Sequence, residues 1–258
     1  MISAPGRDDV HVWTADLDAS ADRAGHLATL LSPAEQNRAG RFRDARRRRR
    51  AIASRAILRE LVARYVGEAP ERIAIVSGRN GKPKLAREGW LRFSVSHAGD
   101  RALYAFASDR EVGVDIERIV PGRHSEAIAQ HFFSRQEQSA MSRLLPDLKT
   151  RAFFTCWSRK EAFVKATGEG FSATLESIEV YPTTAIGGWS VEDIPVGDLH
   201  TAAVAVEGGR VTVSGVFAAL PAGESPPTGA RAQELVIQAA GFELEREADV
   251  PAGDSLSA

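Results

Sequence analysis

The sequence predicts an α+β fold, on three observations. Short alternating segments recur along the chain, amphipathic helical stretches separate them, and both kinds occur in each half. Val10–Ala15 (VHVWTA) reads as the first strand. Ser32 and Pro33 then mark a helix start, with a hydroxyl at the N-cap and a ring at the first position. Over residues 51–66, Ile52, Ile57, Leu58, Leu61, Val62 and Tyr65 fall at helical spacing, and Gly67 and Pro70 close the helix. A short strand at Ile73–Val76 leads into a turn-rich loop, Gly78–Pro83. Leu91–Val95 and Ala102–Ala107 read as paired strands around a loop at Ser96–Arg101, and Glu111–Ile116 as another strand. The second half predicts helices over about 125–132, from Ser134 with a Ser134/Glu137 capping box, and over about 150–167, ending at Gly168. Strands follow near 177–181, 201–206 and 211–218, and residues 231–240 carry one more helical stretch.

The chain has 258 residues, 43% hydrophobic and 26% charged, enough for one large domain or two small ones. Net charge is −1, so the chain as a whole is no polyelectrolyte. The charge is unevenly spread: between Arg38 and Arg64 there are eleven arginines against Asp44 and Glu60, and from Pro221 onward seven acids against Arg231 and Arg246. The single cysteine, Cys156, allows no internal disulfide. No run approaches the roughly 18 apolar residues of a membrane span. These features predict a cytoplasmic protein with no membrane partner. The expected division is an N-terminal half, 1–110, a C-terminal half with the metal site, 111–220, and an acidic segment, 221–258, read as mobile.

Five motifs carry the chemistry. In VGVDIER, residues 112–118, strand alternation puts Asp115 and Glu117 on one face of an otherwise apolar strand. Either the two acids are solvated at a strand end, or a divalent cation neutralises them; oxygen-only ligands favour magnesium. In CWSRKEAFVKATGEGF, residues 156–171, Glu161 and Lys165 lie one helical turn apart among aromatic residues. An exposed ion pair or the wall of a site would both use that spacing. Ser94, Ser96 and His97 of FSVSHAG group two hydroxyls and an imidazole where a strand turns, a set able to hold phosphate oxygens. Lys82 sits in Gly81-Lys82-Pro83, a stiff turn that presents its ammonium. The run Arg46–Arg50, with Arg38, Arg41 and Arg43 upstream, reads either as a solvated helix face, which suits most of these residues, or as guanidinium groups offered to phosphate. It lacks interleaved aromatics, which argues against a nucleic-acid partner.

In order and spacing, GKP, S-x-S-H, G-x-D-I-E, F-F-S-x-x-E and W-S-x-K-E-A-F-x-K resemble the 4′-phosphopantetheinyl transferases, in their larger single-chain class serving peptide and polyketide synthases. The resemblance runs from about Leu30 to Val206. It implies a pseudo-two-fold arrangement of two similar halves, with coenzyme A in the cleft between them. It further implies that Asp115, Glu117 and Glu161 hold magnesium and that Lys165 lies near the pyrophosphate. Lys82, Ser94, Ser96 and His97 would contact nucleotide phosphates, and Arg38 the 3′-phosphate. Some relatives place a hydroxyl near the point aligned with Ala51; its absence there would remove one phosphate contact, not the chemistry. The implied reaction moves phosphopantetheine from coenzyme A to a serine of an apo carrier protein, typically an acidic helical bundle, with Glu161 as base and Lys165 on the departing phosphate. A monomer is implied, since both halves of the site lie in one chain. The rival reading is a non-catalytic coenzyme A or nucleotide-binding protein, which would not need all three acids.

Overall fold

The computed structural model describes residues 2–121, 126–170, 175–181, 185–209 and 212–218. The expected helical stretch at 231–240 and the acidic segment lie outside these residues. The first half runs β1 (Asp9–Asp16), α1 (Ala21–Ala28), α2 (Pro33–Gly40), α3 (Ala45–Val66), β2 (Ile75–Ser77), β3 (Pro83–Leu85), β4 (Leu91–Ala98) and β5 (Arg101–Ser108). The second runs β6 (Val112–Arg118), α4 (Glu126–Phe132), α5 (Arg135–Ser142), α6 (Pro146–Thr167), β7 (Ala185–Ile186), β8 (Trp189–Asp193), β9 (His200–Glu207) and β10 (Thr212–Ala218). Helices and antiparallel strands in both halves bear out the α+β reading.

The halves repeat one plan. Each opens with a strand, continues through two short helices and one long helix, and returns as a hairpin onto the first strand. The sheet orders are β10-β1-β5-β4 and β6-β9-β8-β7, so β1-β5-β4 matches β6-β9-β8. The matching extends to side chains. Ser32 and Ser134 cap α2 and α5 with full capping boxes to Glu35 and Glu137. Helices α3 and α6 both span 22 residues and both end on a left-handed glycine, Gly67 and Gly168. Glu35 then pairs with Arg59 of α3, as Glu137 pairs with Lys160 of α6. Counted from their first residues, Glu60 and Arg64 of α3 occupy the positions of Glu161 and Lys165 of α6. Strand β10 crosses back to pair in parallel with β1, joining the second half to the sheet of the first.

Two surfaces join the halves. Val10, Val12, Leu103 and Ala105 of the first sheet pack on Val112, Val114, Ile116, Val204 and Val206 of the second, all buried. Burial of such side chains contributes about 25 cal/mol per Å² of apolar surface. The second surface is a seam between β4 and β6. There the Ser94 hydroxyl accepts from the Val114 amide at 3.1 Å, and the Ser96 hydroxyl from the Ile116 amide at 3.4 Å. Side-chain oxygens thus satisfy edge-strand donors that face away from β9.

Three local expectations are corrected. Ser96 and His97 lie within β4, because the hairpin closes on Gly99-Asp100 and Ser96 pairs with Leu103, His97 with Ala102. Helix α3 begins at Ala45, not near residue 51: Asp44 caps it through the Arg47 amide at 2.7 Å, which takes the arginine run into the helix. Residues 177–181 form no strand. Their backbone groups serve buried side chains instead: Val180 N–H donates to Glu137 Oε1 at 2.9 Å, the Ile178 carbonyl accepts from Lys160, and the Val180 carbonyl accepts from Arg159 at 2.9 Å. The hairpin strand comes later, as β8.

Candidate active site

The site forms where β6 lies against α6. Period two in the strand points Gly113, Asp115 and Glu117 toward the helix. Gly113 permits the approach: a Cβ there would lie 2.0 Å from the Ala162 carbonyl oxygen and 2.3 Å from the Ala166 nitrogen. Any side chain would have to push α6 away. That close contact brings the strand acids to the helix face that carries Trp157, Glu161 and Lys165.

Asp115 is almost fully buried, with 3% of its surface exposed. Its Oδ1 accepts from Lys165 Nζ at 2.6 Å and from Ser96 Oγ at 2.8 Å, and Lys165 Nζ also donates to Ser96 Oγ at 2.9 Å. Its Oδ2 is buried and has no hydrogen-bond partner among the described residues. Glu117 Oε1 accepts from Trp157 Nε1 at 3.2 Å. Burial first, and the Asp115 charge second, push the Glu117 carboxyl above its ordinary range, against the Trp157 hydrogen bond and Lys165. Glu161 is pushed up to about 7, by burial first and then by Asp115 and Glu117, with Lys165 opposing. Three acids therefore feel one another across the strand–helix contact, and one ammonium serves them all.

The other expected residues fall in different places. Ser94, 2% exposed, spends its hydroxyl on the Val114 amide of the seam. His97 is exposed near the β4–β5 turn, and Arg38 is exposed in the last turn of α2. Lys82 Nζ pairs with Glu111 Oε2 at 2.7 Å and donates to the Ala166 carbonyl at 3.0 Å. Its neighbour Asn80 donates to the Gly168 carbonyl at 2.8 Å. The GKP loop thereby caps the end of α6, where a cation meets the negative end of the helix dipole. Lys82, Lys84, Arg87, Arg92, Phe93 and Glu111 line a cavity of about 700 Å³ that reaches Ala166 and Thr167 of α6. A second, more apolar cavity of about 830 Å³ abuts Glu117 from the other side, lined by Ile128, Phe153, Phe154 and Trp157.

The first half, at the positions of Glu161 and Lys165, also carries an acid and a cation. There β1 brings no acids to α3. It brings His11 and Trp13, which hydrogen-bond to Tyr65 Oη at 2.8 and 2.9 Å. One half therefore holds an acid cluster and the other an aromatic one. Two family profiles match the chain. A 4′-phosphopantetheinyl transferase N-terminal profile covers residues 18–111, and a 4′-phosphopantetheinyl transferase superfamily profile covers 111–203. The 4′-phosphopantetheinyl transferase HetI of Nostoc is 36% identical over 211 residues, 78% of this chain and 89% of that one. The chain belongs to the 4′-phosphopantetheinyl transferase superfamily. It is an enzyme of the transferase class, and the rival reading of a non-catalytic binding protein gives way. The 4′-phosphopantetheinyl transferase of Bacillus subtilis is 30% identical over 64% of this chain and 72% of its own length. The L-aminoadipate-semialdehyde dehydrogenase-phosphopantetheinyl transferase of Xenopus laevis is 30% identical over 69% of each chain. A solved holo-[acyl-carrier-protein] synthase from Thermotoga maritima aligns over 39% of this chain and 64% of its own, with 18% identity and a TM-score of 0.31.

Two further residues shape this candidate site, Gly113 and Trp157. Gly113 was legible in principle, as the one residue without a side chain on the inward strand face. Trp157 lies one turn before Glu161 on the same helix face, but its hydrogen bond to Glu117 depends on how the helix crosses the strand. Among the described residues, no three acid, histidine or cysteine side chains are gathered closely enough to enclose a metal ion. Their chemistry still suits one: they are all-oxygen donors, the Asp115 charge raises the proton affinity of both Glu117 and Glu161, and Asp115 Oδ2 is an orphaned buried acceptor.

Proposed function

We propose that this transferase moves the 4′-phosphopantetheine group of coenzyme A onto a serine hydroxyl of an apo carrier protein and releases 3′,5′-ADP. The observation that carries the reading is the coupling of Glu161 to Asp115 and Glu117, with Lys165 hydrogen-bonded to Asp115 beside them. Asp115, Glu117 and Glu161 are the residues that would hold Mg²⁺, which when bound supplies positive charge to the pyrophosphate oxygens. The cavity beside Lys82, Lys84, Arg87 and Arg92 suits the nucleotide end of coenzyme A. Ser96, His97 and Arg38 are further candidates for its phosphates. The apolar cavity beside Glu117 suits the pantetheine arm.

In the reaction, the serine Oγ forms a bond to the phosphorus that bears pantetheine. The bridging P–O bond breaks, and its electron pair leaves with 3′,5′-ADP. Glu161, beside Asp115 and Glu117 on the open side of the cluster, takes the serine proton. Lys165 meets the charge that grows on the departing phosphate. Positioning and charge stabilisation do most of the work in such transfers.

The full assembly of donors lies in one chain, which supports a monomer. No helix among the described residues is long and apolar enough to cross a membrane, and a cytoplasmic location accords with that. The test is incubation of the protein with an apo carrier protein, coenzyme A and Mg²⁺. Mass spectrometry of the carrier should show the gain of one phosphopantetheine group on serine. A carrier unchanged with coenzyme A and Mg²⁺ in excess would refute the reading.

A further inference from the structure

Asp115 divides its two oxygens unequally. Oδ1 holds both Lys165 Nζ and Ser96 Oγ, while Oδ2 is buried and unpartnered among the described residues. The side chain of Asp115 is 4% exposed and that of Lys165 31%, so the cation is the accessible member of the pair. Among the described residues neither Glu117 nor Glu161 has an ion-pair partner of its own; Glu117 has only the Trp157 indole. Lys165 is therefore the counter-ion of the whole acid cluster. A divalent cation entering the cluster meets that ammonium as a like charge at short range, in a poorly screened setting. It also finds Oδ1 already taken. A polyphosphate anion has the opposite relation to Lys165. It is drawn to the ammonium, whose flexible four-carbon stem lets it leave Asp115.

We propose that Lys165 is a displaceable counter-ion that holds metal affinity down until a polyphosphate engages it, so that divalent metal and coenzyme A load cooperatively. The proposal rests on the metal reading given above and deepens it. Coenzyme A recruits Lys165 away from Asp115 and leaves Oδ1 with the neutral Ser96 hydroxyl alone. By reciprocity, metal tightens nucleotide binding by the same factor. Ser96 anchors the ammonium in its resting place, because its hydroxyl accepts from Lys165 while donating to Asp115.

The experiment is a titration with Mn²⁺ alone, followed by calorimetry and by the electron paramagnetic resonance of free Mn²⁺, with no carrier and no turnover. Lys165→Met should bind Mn²⁺ about ten-fold more tightly than the parent, within the usual range of site–site coupling, while Lys165→Arg keeps the parent's weak binding. Saturating coenzyme A should tighten Mn²⁺ binding in the parent clearly more than in Lys165→Met, since direct metal–phosphate contact is common to both. If Lys165→Met does not fold by circular dichroism, Ser96→Ala carries the test, because it loosens the anchor and keeps every charge; its Mn²⁺ binding should tighten by about three-fold, a fraction of the full coupling. A Lys165→Met protein that is folded and binds Mn²⁺ no more tightly than the parent would show a purely structural ion pair and overturn the proposal. Equal coenzyme A effects in parent and variant would overturn it too. Absence of Mn²⁺ binding in every variant, with and without coenzyme A, would instead remove the metal reading on which it stands.

Discussion

At the residue scale, the acids of the cluster have distinct environments and should fail in distinct ways. Replacing Asp115, Glu117 or Glu161 by alanine should abolish carrier modification while the circular dichroism spectrum stays native; full activity in any of them would refute its assignment. Glu161 also makes a prediction about pH. Its folded carboxyl is raised from 4.5 to about 7, so the fold favours the neutral form. That contribution is fully present below the unfolded value and is lost as pH rises through the folded one. In a chelator, the melting midpoint of the parent should therefore fall relative to Glu161→Gln between about pH 4.5 and pH 7. Parallel profiles for the two proteins would show that Glu161 is not perturbed. Asp115 and Glu117 were legible from strand alternation alone, but only as a pair. Glu161 joined them through the order of family motifs, because no spacing rule says which helix will cross which strand. Ser94 was read as a phosphate contact and sits on the Val114 amide, twenty residues away in sequence and across the seam. Nothing local encodes that meeting of edges.

At the scale of elements, two contacts set the geometry of the site. The first is β6 against α6, where Gly113 leaves no room for a methyl group between strand and helix backbone. Gly113→Ala should displace α6 and cost about 1–3 kcal/mol or more, as overpacking does. Activity should fall by more than stability does, because Trp157, Glu161 and Lys165 move as a unit away from Asp115 and Glu117. A Gly113→Ala protein with parental kcat/KM would sink this account. The second is the seam between β4 and β6. Ser94→Ala leaves the buried Val114 amide without its acceptor, at a cost of about 1–3 kcal/mol. It should lower the melting midpoint by several degrees and leave the KM for coenzyme A unchanged. A selective rise in that KM would return Ser94 to the phosphate-binding role. The helices and the hairpin were legible because caps, glycines and periodicity act locally. The missing strand at 177–181 was not, because Glu137, Arg159 and Lys160 claim its backbone groups from other elements.

At the scale of the whole molecule, the two halves share a plan but not a charge pattern. The first turns of α6 carry Asp147, Lys149 and Arg151, whereas the same stretch of α3 carries Arg46–Arg50. The repeat therefore does not explain the arginines, and local contacts explain only some of them: Arg48 donates to the Phe42 carbonyl at 3.0 Å. Arg46 and Arg50 pair with Asp18, at 2.6 and 2.7 Å. Arg41, Arg43 and Arg47 are exposed and have no ion-pair partner among the described residues, with exposed Phe42 between the first two. A basic face of this kind raises the encounter rate with an acidic partner more than it raises affinity. The acidic carrier proteins implied for this transferase are such partners. The second-order rate constant for carrier modification should fall about ten-fold as salt rises from roughly 0.05 to 0.5 M, at saturating coenzyme A and Mg²⁺. The double variant Arg43→Ser/Arg47→Ser should start lower and show a shallower salt dependence, with kcat at saturating carrier close to the parent's. An identical slope in parent and variant would place the steering elsewhere on the surface. A flat slope in both would mean that the carrier is recognised by apolar contact, leaving the cavity beside Glu117, Ile128 and Trp157 as the surface to mutate next.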